Sequence, residues 1–234
     1  MKNFSLRRNR AAAFSLIELI VVISILALLA ALIIPISGKV AEKKQIALAQ
    51  TELNVVKSAI DEYKTKLGFY PPDNTNNVIT NQLYFELMGT TNNGVNGTPP
   101  TIWGAMDGSA LIDNTGGASI STFFSVSGLA NTSTRLHSDD TGEAASTFLI
   151  GLKPAQIGAV DPANKPLVKI LVCSIPWPAD IKPYPVFTNP ILNPWRYNSS
   201  HPTNNVGTYD LWVDLVIRGR TNRICNWSPD PIKL

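Results

Sequence analysis

Apolar positions follow three different patterns along the 234 residues. The first is continuous. From Leu16 to Ile36 the chain is apolar with one charge, Glu18, near its start, and beyond Leu19 only Ser24 breaks it. About 20 apolar residues cross a bilayer core, whereas a cleaved secretory signal has an apolar stretch of only ~7–15. The second pattern is helical. Between Lys39 and Leu67, Ile46, Ala49, Leu53, Val56, Ile60, Tyr63 and Leu67 recur at steps of three and four. Lys43, Lys44, Glu52, Lys57, Asp61, Glu62 and Lys64 lie off that stripe, which predicts an amphipathic helix. Gly68, with Pro71 and Pro72 behind it, ends the helix. A helix from Phe14 to Leu67 is on the order of 80 Å long. Its stripe needs a cover, and a sheet from the rest of the chain is favoured over a coiled-coil partner.

The third pattern is that of strands. Leu167 to Cys173 is a β-rich apolar run, and Tyr209 to Ile217 alternates. Tyr209, Leu211, Val213, Leu215 and Ile217 face one way; Asp210, Trp212, Asp214 and Val216 face the other, Asp210 and Asp214 toward solvent. A turn at Gly219–Asn222 leads to a last strand, Arg223–Trp227, giving an antiparallel meander laid over the helix stripe. Between Tyr70 and Pro166, Gly, Asn, Thr and Ser dominate and predict surface loops, interrupted by short helices at Asn81–Met88 and Gly142–Leu152. No internal repeat is evident. The fold class is α+β, divided as follows: 1–13 a basic leader, 14–37 a transmembrane helix, 38–68 its amphipathic half. Residues 69–165 form a loop-rich insertion and 166–234 an antiparallel sheet.

The net charge of +3 is unevenly placed. Lys2, Arg7, Arg8 and Arg10 precede the apolar run, and without them 16 basic residues face 17 acidic ones. The basic leader holds the N-terminus in the cytoplasm and places everything after Ser37 outside. A neutral folded domain lacks the cationic surface that nucleic acid requires, so no nucleic-acid partner is expected. His137 and His201 are the only histidines, neither at metal-ligand spacing with another ligand. Asp139–Asp140 reads as a solvated loop pair. No catalytic motif, metal site or cofactor site is predicted. A catalytic pair assembled only by folding leaves a second reading open, a membrane-anchored periplasmic enzyme or ligand-binding protein. Cys173 and Cys225, in a compartment that permits disulfides, fall in predicted strands of one sheet. They read either as a cross-sheet bridge or as buried apolar thiols.

The arginine-rich leader, Ala13–Phe14, Glu18 and Pro35 together resemble the signal of type IV prepilins and type II secretion pseudopilins. The family usually has Gly where this chain has Ala13. The resemblance implies that prepilin peptidase cuts between Ala13 and Phe14 and that the new amine at Phe14 is methylated. It also implies that Glu18, fifth in the mature chain, meets the N-terminal amine of a neighbouring subunit, and that the helix loosens at Pro35 on packing. A charge inside an apolar run is then tolerable because assembly supplies its counter-ion. NPWRY at Asn193, YDLW at Tyr209 and ICNW at Ile224 are similar to C-terminal landmarks of major pseudopilins. In that family the loop after YDLW binds calcium. Here it reads IRGRTNR, and guanidinium groups repel a dication, so no calcium site is carried over. The implied function is a structural, non-enzymatic subunit of a type II secretion pseudopilus or type IV pilus-like filament. Its implied partners are homologous pilin or pseudopilin subunits, prepilin peptidase and an inner-membrane assembly platform. The implied location is the inner membrane, single-pass, with the C-terminal domain periplasmic and then part of a periplasmic or extracellular filament.

Overall fold

The computed structural model describes residues 15–94, 98–113, 120–134, 144–160, 168–181, 189 and 191–234, with the side chains of 31–37 outside that description. Two compact units divide the chain, residues 1–44 and 45–234, and α1 (Leu16–Leu67) belongs to both. α1 stops where Gly68 takes a left-handed φ of 85° while its N–H still reaches Lys64 O at 2.9 Å. A residue without a Cβ adopts that conformation at no steric cost.

Within residues 45–234 the helical stripe is covered as its spacing predicts. Ala49, Leu53, Val56, Ile60 and Tyr63 are buried, and Ile46 and Leu67 pack at the two ends of the same core. The cover includes an antiparallel meander of β7 (Arg196–Asn198), β8 (Asp210–Ile217), β9 (Arg220–Cys225) and β10 (Ile232–Lys233), in spatial order β10-β9-β8-β7. Leu211, Val213, Leu215 and Ile217 of β8 and Ile224 of β9 fill the inner face. The fold is α+β, with a helix packed on a C-terminal antiparallel sheet, as expected.

The stretch expected to be surface loops holds ordered structure of its own. β1 (Thr90–Asn92), β2 (Ile102–Ala105), β3 (Leu111–Asp113) and β4 (Thr132–Thr134) make a second sheet, order β3-β2-β1-β4, in which β1 and β4 run parallel. α2 (Leu83–Met88) is buried on every side, and α3 (Ile120–Phe124) buries Ile120 and Phe124. α2 realises the helix expected at Asn81–Met88. The helix expected at Gly142–Leu152 does not form over the described residues from 144. Instead the Phe148 N–H donates to Leu87 O (2.8 Å), and Asn131 clamps Ser146, its Nδ2 donating to Ser146 O and its Oδ1 accepting from Ser146 N. Backbone groups spent on other segments cannot close helical turns.

The strand expected at Leu167–Cys173 shrinks to β6 (Lys169–Leu171), which pairs with β5 (Ile157–Ala159) in a separate two-stranded ribbon. The turn before β9 is two residues earlier than expected. Arg218 and Gly219, at φ 54° and 73°, form it, so β8 pairs with β9 from Ile217–Arg220 to Trp212–Cys225. Positive φ at both central residues is the hairpin turn whose twist matches paired strands.

Candidate functional site: the start of α1

Residues 15–30 present one polar feature on an otherwise apolar helix. The Ser15 N–H donates to Glu18 Oε2 at 3.0 Å, and Leu19 N–H donates to Ser15 O at 3.2 Å. A carboxylate in the first turn meets unpaired N–H groups and the positive end of the helix dipole, which is why the helix tolerates it there. Ser24 spends its hydroxyl internally, on Ile20 O at 2.7 Å. An ionised carboxylate offers about four acceptor sites, and Ser15 takes one. Glu18 is the one charged side chain in this stretch, and among the described residues it therefore keeps acceptor sites for a partner. Around it, Leu16 is 75% and Ile17 68% exposed, and the apolar side chains through Leu29 are similarly uncovered. A helix apolar on every side is built to be covered by lipid or by other helices.

Ala13 and Phe14 lie outside the described residues, as does the Pro35 side chain. Among the described residues no helix is long and apolar enough to cross a membrane.

The other expected site residues lie in residues 45–234. Cys173 and Cys225 are free, buried thiols, not a bridge. The premise of a shared sheet fails: Cys173 follows β6 in the ribbon, with its N–H on Asn193 O, whereas Cys225 ends β9 in the meander. Burial pushes both thiols up, and Cys173 also feels the Glu52 carboxylate.

Asp210 and Asp214 are buried, not solvent-facing. Asp210 accepts from the backbone N–H groups of Thr203, Asn204 and Asn205 at 2.8–2.9 Å. Asp214 holds Arg223 through Nε at 2.8 Å and Nη2 at 3.1 Å, and lies 3.6 Å from Arg196. Arg223 belongs to the IRGRTNR sequence after YDLW, and Arg196 to β7. Glu52, expected off the stripe, is also buried and accepts from Ser174 N and Oγ. His201 is exposed, and His137 lies outside the described residues.

Glu86 is the buried group that pattern reading passes over. It accepts from the Tyr63 hydroxyl (2.9 Å), Ala130 N (2.8 Å) and Asn131 N (2.9 Å), tying α1, α2 and the segment before β4 together. A lone acid between Phe85 and Leu87 in an otherwise apolar six-residue helix is the signal that marks it.

Residues 8–34 match the prokaryotic N-terminal methylation motif. No curated protein and no solved structure matches the chain. The matched segment contains Ala13, Phe14 and Glu18 and stops one residue short of Pro35. The motif is the signal of type IV pilins and pseudopilins. It indicates a type IV pilin-like protein that prepilin peptidase processes and that assembles with pilin-like subunits.

Proposed function

We propose that this chain is a structural subunit of a type II secretion pseudopilus or type IV pilus-like filament, held in the inner membrane by its N-terminal helix until assembly. Prepilin peptidase cuts between Ala13 and Phe14, and the new amine becomes methylated. Glu18 then receives the N-terminal amine of a neighbouring subunit, and Pro35 lets the helix loosen as it packs. The observation that carries this reading is the methylation motif leading into α1, where Glu18 keeps acceptor capacity among the described residues beside an exposed apolar surface. A secretion pseudopilus is favoured by NPWRY, YDLW and ICNW, which overlap the adjacent strands β7, β8 and β9.

Glu18→Ala tests the assembly step. Removing a charge eases membrane insertion, so the variant remains in the membrane fraction while filaments are lost. A Glu18→Ala chain that assembles as well as the parent contradicts the reading.

A further inference from the structure

The β8–β9 hairpin carries a cluster of charge that assembly through α1 does not use. Arg218, Gly219 and Arg220 at its tip are exposed, and Lys233 on β10, opposite Asn222, is exposed beside them. Among the described residues no carboxylate pairs with any of these three cations; Asp214, lower on β8, is held by Arg223 and Arg196. Arg218 also occupies a left-handed position, φ 54°, that such turns fill with asparagine or glycine. A residue kept where its backbone is disfavoured points to a use for its side chain.

The tip's position in its unit suggests that use. β8 begins beside Asp61, where the Tyr209 hydroxyl meets Asp61 Oδ1 at 3.4 Å. At the Trp212–Cys225 pair, the chain following β9 lines a cleft with Gln50, Leu53, Asn54 and Lys57. β8 thus runs back along α1 toward lower residue numbers. From Trp212 to Ile217 it advances a further ~17 Å, the rise of about eleven helical residues. The tip therefore lies toward the Gln45 end of the unit's stretch of α1. Only residues 37–44 lie between that end and the apolar run.

We propose that the hairpin tip is a second membrane contact, docking on anionic phospholipid headgroups beside the anchor. This rests on the reading that the N-terminal helix is held in a bilayer. Each cation near an anionic lipid surface strengthens association about fivefold. Salt screens the attraction over about 8 Å at physiological ionic strength.

The test uses the full chain in phosphatidylcholine vesicles with and without phosphatidylglycerol. Leu234→Cys, exposed and opposite Thr221, carries a fluorophore, the headgroups carry an acceptor, and the buried Cys173 and Cys225 stay unlabelled. The expected result is a rise in energy transfer when phosphatidylglycerol is added, and high salt removes that rise. Arg218→Asn with Arg220→Gln preserves the turn and weakens the contact by roughly tenfold or more, whereas Arg218→Lys with Arg220→Lys keeps it. Transfer indifferent to phosphatidylglycerol or to these charges overturns the proposal. So does label-to-label transfer that grows with protein density and replaces the lipid signal, which would assign the tip to a second copy. Flotation separates the two readings: a chain that floats without the lipid-dependent signal refutes only the hairpin contact, and one that fails to float refutes the anchor and the contact together.

Discussion

Glu86 and Asp210 are both withdrawn from solvent, yet their surroundings push them in opposite directions. Burial raises the Glu86 carboxyl above its ordinary value, and the N–H groups of Ala130 and Asn131 and the Tyr63 hydroxyl only partly oppose it. Burial also pushes Asp210 upward, but there the backbone donors of Asn204, Asn205 and Thr203 and the Asn204 amide outweigh it and hold the group below the usual value. The linkage signs follow. A raised folded-state value gives stability that is fully present below the unfolded value, near 4.5, and is lost as pH rises through the folded one. A depressed value gives stability present above about 3.8 and lost as pH falls through the folded one. Thermal denaturation from acid to neutral pH checks both. Glu86→Gln flattens the decline on the side above about pH 4.5 and lowers stability by about 1–3 kcal/mol, since an amide cannot accept from all three donors. Asp210→Asn flattens the loss on the acid side.

At the scale of elements, α1 has one face that holds the folded unit and another that does not. Ile60 is fully buried, whereas Val55 is 46% exposed on the same helix. Ile60→Ala should cost about 2–5 kcal/mol through lost burial and the cavity left behind. Val55→Ala should stay within about 0.5 kcal/mol, and denaturant unfolding of the two variants checks the contrast. This stripe was legible in the sequence because its period of three and four runs for seven apolar positions, and β8 because its alternation runs for nine residues. Short elements were less legible. β6 has too few residues to announce its partner, and the Gly142–Leu152 stretch has a helical composition but gives its hydrogen bonds to α2 and Asn131. The burial of Asp210 and Asp214 was hidden for a related reason. Alternation separates the two faces of a strand but does not say that the second face is also covered, and here the backbone of 203–205 and two arginines cover it.

For the molecule as a whole, cohesion comes from packing and buried polar contacts rather than from a covalent link between Cys173 and Cys225. Both thiols are buried with raised pKa values, so the folded protein should resist a thiol reagent at neutral pH. Denatured, unreduced protein should titrate as two free thiols, and a count of zero would show a bridge. Glu18 stood out in the sequence because a single charge in an apolar run is conspicuous without any fold; the structure adds its contact with the Ser15 N–H. The hairpin's cationic tip was visible as IRGRTNR, but its direction along α1 required the strand register. The central claim is that this chain is made as a prepilin-like precursor and cut before it can join a filament. Intact mass of the membrane-extracted protein, from cells with active prepilin peptidase, tests it most directly. The account predicts loss of residues 1–13 and one added methyl group on a chain that starts at Phe14. A full-length, unmethylated mass would contradict it.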